Sequence, residues 1–146
     1  MTIAAILKTK GADVVTLPPS MTLAGAVALL AEKRIGAAPV VEGDRVVGVF
    51  SERDVVYCLA AKGAAALELT VGEVMTAPAR TVSPAEPVLG ALSLMTLRRI
   101  RHLPVIEADE QGGRLVGFVS IGDLVKHRID RIEQEAAAMR DYIQSS

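Results

Sequence analysis

The sequence predicts an α+β fold in which two pseudo-symmetric units pack as one module and a long C-terminal helix follows. Three observations support this prediction: an internal repeat over most of the chain, the same order of elements in both copies, and a heptad spacing in the tail. We expect the first unit at residues 1–66, the second at 67–128 and the helical extension at 129–146. Because each unit is too small to bury much apolar area alone, the two should share a core.

The internal repeat is visible by direct alignment of the two halves. A shift of 65 residues brings Pro39 onto Pro104, and a shift of 69 brings "GVFSERD" at 48–54 onto "GFVSIGD" at 117–123. The four extra residues fall in the polar segment 107–113, where a longer turn costs little free energy. The chain is therefore two copies of one unit of roughly 65 residues.

Each copy predicts elements in the order β-α-β-β-α. A short extended stretch comes first, and a helix with apolar residues at helical spacing follows. In the first unit we expect Thr22 to cap this helix and Gly36 to end it. Two apolar runs across a polar turn then predict a β-hairpin. A second helix should begin at Ser51, and its counterpart at Ser120.

Composition excludes several classes of protein. With a formal net charge of -1, the 146-residue chain has no general attraction for nucleic acid. No run of 18 uncharged apolar residues predicts a membrane span, and the N-terminus does not resemble a signal peptide, so we expect a cytoplasmic protein. Cys58, the single cysteine, has no disulfide partner and predicts no metal cluster; we expect it to pack on a helix face. No catalytic constellation or P-loop indicates an enzyme.

The repeated motif places a serine and an aspartate three residues apart at each junction between a strand and a helix: Ser51 with Asp54, and Ser120 with Asp123. One interpretation is structural, because this spacing is a relative of the capping box. The other is functional. A helix N-terminus offers free N–H groups to phosphate, and an ionised aspartate can accept both hydroxyls of a ribose. The two roles can coexist in one residue.

The β-α-β-β-α order, the runs "IGAAPVV" and "RHLPVI" and the two G-h-h-S-x-x-D junctions resemble tandem CBS domains, also called a Bateman module, of the stand-alone bacterial type. The resemblance covers about residues 2–128. One such junction is a weak signal, whereas two at matching places in a full-length repeat are specific.

The resemblance implies that adenosine-containing ligands bind in clefts between the paired units: AMP, ADP, ATP, NAD or S-adenosylmethionine. It places the ribose on Asp54 and Asp123, and ribose or phosphate oxygens on Ser51 and Ser120. The strand ends that would face the base are Gly36, Ala37, Ala38 and Pro39 in the first unit, and Arg101, His102, Leu103 and Pro104 in the second.

The two junctions differ next to the aspartate. Arg53 offers the first site a guanidinium for phosphate, whereas the second site has Gly122 there, which leaves room for a bulkier ligand such as a dinucleotide. The second site must take its phosphate contacts from other residues, or these residues are structural or solvated surface groups. The candidates are Arg101, His102, Lys126 and Arg128.

The tail carries apolar residues at spacings of 4, 3, 4, 3 and 4: Val125, Ile129, Ile132, Ala136, Met139 and Ile143. This seam, which we call the tail seam, predicts either a helix that lies on its own module or one that pairs with a second subunit. The resemblance also implies a homodimer.

The sequence therefore predicts a regulatory module that binds adenine nucleotides and reports energy or redox state to a protein target. The alternative is a ligand-free dimerisation scaffold in which the serines and aspartates only cap helices.

Overall fold

The computed structural model describes residues 1–11 and 13–145, and it confirms the α+β fold with a long C-terminal helix. Two antiparallel hairpins, β1–β2 and β3–β4, each lie between a preceding and a following helix. The elements are α1 (Ile3–Lys10), α2 (Leu23–Lys33), β1 (Ala37–Glu42), β2 (Arg45–Ser51), α3 (Glu52–Lys62), a 3₁₀ turn (Gly63–Glu68), α4 (Val71–Val74), α5 (Val88–Arg98), β3 (His102–Glu107), β4 (Arg114–Ser120) and α6 (Ile121–Ser145).

The extended stretch expected at the start of each unit contributes one paired residue. Leu17 bridges Val40 in parallel, donating its N–H to Pro39 O at 3.1 Å, and Val82 bridges Val105 in the same way. In the first unit Pro18 follows at once and has no N–H to continue a ladder, so pairing stops after a single residue.

The ends of the first helices differ in part from expectation. Thr22 caps α2 as predicted, since its hydroxyl accepts the N–H of Gly25 at 3.1 Å. The expected end at Gly36 is wrong, because α2 stops at Lys33 and Arg34 takes a left-handed conformation with φ 54°. The following isoleucine donates its N–H back to Leu30 O at 3.1 Å and packs on the core, which favours this early reversal. Arg99 ends α5 with the same φ of 54°.

The described residues form two apolar cores. The segment at the start of each unit, which we call its lead-in, packs against the core of the other unit: α1 for the first unit, and α4 with the residues up to Thr76 for the second. Ile3 and Ile6 of α1 are buried in the core formed by residues 82–124, while Val71 of α4 is buried in the core of the first unit. Backbone hydrogen bonds hold both segments: Ile3 N to Glu86 O at 2.9 Å, and Val71 N to Met21 O at 2.8 Å. Packing therefore crosses the predicted division at 66/67 in both directions.

The exchanged segments explain the glycine of the repeated motif. A Cβ added at Gly48 would lie 2.9 Å from the backbone oxygen of Thr76, and one added at Gly117 would lie 2.5 Å from the side chain of Leu7. Each glycine therefore sits where the lead-in of the other unit crosses the second hairpin strand. That crossing brings α1 and the segment after α4 beside the two serine–aspartate pairs.

Helix α6 runs without a break from the second junction to Ser145 and so covers the predicted extension as far as that residue; residue 146 lies outside the described residues. The tail seam is exposed, with Ile129 at 50% and Ile132 at 48%. Cys58 is half-buried against the first core. Among the helices of the described residues, none is both long and apolar enough to cross a membrane.

Candidate functional site

The first cleft, of ≈ 150 Å³, opens where β2 meets α3. Four parts of the chain line it: the turn between α2 and β1, the first junction, the segment after α4, and the turn between α5 and β3. Its polar lining consists of Ser51, Arg53, Asp54, Thr76, Arg80, Arg99, Arg101 and His102.

The carboxylate of Asp54 accepts hydrogen bonds from neutral groups. Its Oδ2 accepts the backbone N–H of Ser51 at 2.9 Å and lies 3.3 Å from the Ser51 hydroxyl, and its Oδ1 accepts the hydroxyl of Thr76 at 3.0 Å. The first two contacts fix the carboxylate against the start of α3, which forms the predicted capping arrangement. The third links it to the exchanged segment, and a ligand hydroxyl can replace that of Thr76 at little cost.

Four exposed arginines surround the same opening: Arg53, Arg80, Arg99 and Arg101. Arg101 is paired loosely with Glu52, at 3.9 Å and largely in solvent, so this contact holds it weakly. Guanidinium groups suit phosphate because they donate two parallel hydrogen bonds to its oxygens. The cleft thus combines a carboxylate for hydroxyl donors with cations for an anionic group.

The second cleft, of ≈ 650 Å³, lies between α1 and α6. Oδ2 of Asp123 accepts the backbone N–H of Ser120 at 2.8 Å, and the Ser120 hydroxyl accepts the N–H of Asp123 at 3.1 Å. This reciprocal cap matches the one in the first unit. Its remaining partner differs, because the ammonium of Lys10 lies 2.6 Å from the same Oδ2.

The ion pair changes the acidity of Asp123. Partial burial alone would raise the pKa of this carboxyl, but the hydrogen bond and charge of Lys10, with the donors of Ser120, lower its pKa below the ordinary value. The carboxylate therefore stays ionised well into the acidic range.

His102 lines the first cleft and stacks on Phe118, with ring centroids 5.5 Å apart and an angle of 11° between planes. Burial lowers the pKa of His102, and the charges of Arg101 and Lys10 lower it further against the opposing effect of Asp123 and Glu52. The ring is accordingly neutral at pH 7 and presents a flat face suited to packing.

A family model described as "CBS domain" matches this chain twice, at residues 5–61 and 71–130. The chain belongs to the CBS-domain family. The two matches cover both copies of the repeat, so the chain is a CBS pair, as its resemblance to tandem CBS domains predicted.

Known CBS proteins are similar over most of the chain. The crystal structure of ATU1752 from Agrobacterium tumefaciens is 37% identical with a TM-score of 0.80, covering 88% of this chain and 99% of that one. CBSX2, solved in complex with AMP, is 25% identical with a TM-score of 0.74, covering 88% of this chain and 96% of that one. The mitochondrial protein CBSX3 of Arabidopsis thaliana is 35% identical over 128 residues; the matched part is 84% of this chain and 60% of CBSX3.

The CBS pair brings several predicted site residues together in the first cleft: Gly36, Ser51, Arg53, Asp54, Arg101 and His102. Arg101 and His102, considered above for the second site, line the first. Asp123 and Lys126 line the second cleft, whereas Arg128 lies outside both. The other residues predicted to face the base are buried, so their contact with a base stays a prediction: Ala37, Ala38, Pro39, Leu103 and Pro104.

The sequence did not indicate several further polar residues of the clefts: Thr76, Arg80 and Arg99 in the first, and Lys8, Thr9, Lys10, His127, Asp130, Arg131 and Gln134 in the second. The repeat aligns "TVGEVMT", which ends at Thr76, with "TIAAILK", which ends at Lys8, and so does not point to Lys10. The match indicates equivalent positions, but the exchange between units places them beside the motif of the other copy.

Proposed function

We propose that this CBS pair is a regulatory module that binds adenosine-containing nucleotides in its clefts and reports their level to a protein target in the cytoplasm. The observation that supports this most strongly is the first cleft, where the Asp54 carboxylate and the four arginines share one opening. The AMP complex of CBSX2, a structure of the same fold, agrees with this ligand class. AMP, ADP, ATP and NAD all contain the required groups.

In the proposed complex the ribose hydroxyls donate to Asp54, taking over the bond now made by Thr76. The base lies toward Gly36 and the neutral ring of His102, and the phosphates meet the guanidinium groups of Arg53 and its neighbours. Each contact uses a group that already faces the opening. The cleft of ≈ 150 Å³ is smaller than a usual ligand pocket of about 300–1,000 Å³, so we expect the nucleotide to widen it or to extend beyond it.

The test is the release of bound ligand from purified protein. We expect acid or heat denaturation to release an adenine nucleotide that mass spectrometry identifies, and calorimetric titration with the same nucleotide to show saturable binding. An Asp54→Ala protein prepared in parallel is the matched control and should release less. Failure of AMP, ADP, ATP and NAD to bind nucleotide-free protein would contradict the proposal.

A second function, a ligand-free scaffold, is favoured by the hydrogen bonds of the caps. Both serine–aspartate pairs stabilise their helices without any ligand. If capping were their whole role, the Asp54→Ala and Asp123→Ala proteins would lose stability and keep any nucleotide affinity.

We also propose that the tail seam pairs with its copy in a second subunit. Its residues cover about five turns of α6 and lie exposed, and soluble proteins usually cover such a stripe. Removal of residues 130–146 should weaken the dimer while nucleotide binding remains. Ile132→Glu should act in the same way, and Ala138→Glu, at an exposed position off the seam, should not.

The discriminating measurement for the tail is sedimentation velocity across a dilution series. The seam predicts that truncation shifts dissociation to concentrations about tenfold higher or more. Equal dimerisation of the truncated and full-length proteins would show that another face holds the subunits together.

A further inference from the structure

The cation at the second ribose carboxylate is Lys10, the last residue of α1. Its Nζ donates to Oδ2 of Asp123 at 2.6 Å and to the backbone oxygen of Phe118 at 2.7 Å. The two side chains are 38% and 27% exposed, so the pair is partly shielded from water. Lys10 therefore occupies a position at which a ligand hydroxyl would approach the carboxylate.

In the first cleft the donor from the exchanged segment contacts the other carboxylate oxygen, Oδ1. There the third donor to the carboxylate is the neutral hydroxyl of Thr76, at 3.0 Å from Asp54 Oδ1. A ribose hydroxyl can replace the Thr76 hydroxyl, because both are neutral donors. In the second cleft a ribose whose two hydroxyls use both carboxylate oxygens meets the ammonium of Lys10 on Oδ2, and charge-assisted hydrogen bonds are about twice as strong as neutral ones.

We propose that Lys10 makes the second cleft selective for phosphorylated adenosine ligands over adenosine itself. The inference rests on the proposed function, since it assumes that the clefts bind adenosine-containing ligands. A phosphate offers Lys10 a new anionic partner, so Asp123 becomes free for the ribose while the ammonium remains paired. Adenosine has no anion to exchange and is disfavoured.

The remaining charges of the cleft fit this selectivity. Lys8 of α1 and Lys126 and Arg131 of α6 line it, opposed by Asp130 and by Asp123 itself. The wall formed by α1 is thus basic, whereas the two cations and two carboxylates of α6 balance. Because Lys10 is the last residue of α1, its side chain can turn from Asp123 toward a phosphate while the helix stays in place.

The test uses full-length protein carrying Asp54→Ala, which weakens the first cleft about ten- to hundredfold. Adenosine and ADP are the probes in calorimetric titration. In this background we expect ADP to bind about ten- to hundredfold more tightly than adenosine. Adding Lys10→Met should tighten adenosine and weaken ADP, so that this ratio falls at least tenfold.

Two further variants separate selectivity from other effects. Lys10→Arg keeps the cation and should keep the preference for ADP, which shows that loss of charge, not damage to α1, causes the change. Lys33→Met makes the same change of charge at an exposed position on α2, outside both clefts, and should leave the ratio unaltered.

The outcomes distinguish the two claims. If wild-type protein binds adenine nucleotides through Asp54 but Lys10→Met leaves the ratio of ADP to adenosine affinity unchanged, the role of Lys10 is wrong and the proposed function stands. If neither probe binds wild-type protein or any variant, the proposed function fails and this inference fails with it.

Discussion

The two clefts are built on the same motif, yet their carboxylates meet different partners. Asp54 accepts a hydrogen bond from the hydroxyl of Thr76, whereas Asp123 forms an ion pair with the ammonium of Lys10. Both caps are otherwise alike, with a serine N–H on Oδ2 at 2.9 and 2.8 Å. The lead-in from the other unit, and not the motif, therefore supplies the side chain that contacts each aspartate from outside the cap.

The physical origin of the difference is the length of the lead-in helix. Helix α4 ends at Val74, and Thr76 then pairs with Val49 through two hydrogen bonds of 3.0 and 2.9 Å. Pro78 disfavours helical conformation at the residue before it and so helps to end the helix early. Helix α1 has no proline and continues to Lys10, where Gly11 ends it with φ 93°.

The largest effect on the difference in ligand affinity between the two clefts is expected from Asp54→Ala. Loss of a charged hydrogen-bond acceptor should weaken adenosine binding to the first cleft about ten- to hundredfold. The matched Asp123→Ala protein should lose binding of ADP to the second cleft and keep its adenosine site. Loss of the first-turn acid should cost each unliganded protein about 1 kcal/mol of stability in urea titrations. Unchanged affinities in both variants would leave only the capping role.

Arg53→Ala should have a smaller effect. It separates the phosphate contacts of the first cleft from the ribose contacts. Arg53 is exposed, so its contribution should be about fivefold in affinity for ATP, with little change for adenosine. Arg98→Ala, at an exposed position outside the clefts, is the control. Equal weakening of ATP and adenosine in calorimetry would show that Arg53 does not contact phosphate.

The smallest effect concerns acid stability. Because the pKa of Asp123 is lowered in the folded protein, its contribution is present above the unfolded pKa of about 3.9 and is lost as pH falls through the folded value. Lys10→Met should remove much of this pH-dependent contribution, which we expect to be below about 1 kcal/mol because both side chains are partly exposed. Urea titrations between pH 7 and pH 2.5 measure it. Parallel curves for the two proteins would contradict a stabilising pair.

Sequence alone predicts the repeat, the hairpins and the junctions because each depends on local patterns. Apolar runs across a turn predict strands, and Ser-x-x-Asp predicts a helix start. The end of α2 at Arg34 was not predicted, because a left-handed arginine is uncommon and is favoured here by the burial of the isoleucine after it.

The site was predicted in part for the same reason. Ser51, Arg53 and Asp54 are neighbours in sequence, so their convergence follows from one helix start. Thr76 and Lys10 reach the clefts only through the exchange of lead-ins between units, a long-range arrangement that no local pattern encodes. The position of Arg101 at the first cleft is also a long-range arrangement, because this residue comes from the turn between α5 and β3 of the other repeat.

We expect the first cleft to bind adenosine and Lys10 to disfavour adenosine in the second. A crystal structure of the wild-type protein grown with adenosine shows directly which cleft is occupied. The expected result is ligand density against Asp54, with the Thr76 hydroxyl displaced, and Lys10 still on Asp123. Equal adenosine density in both clefts, or adenosine in the second cleft alone, would contradict it.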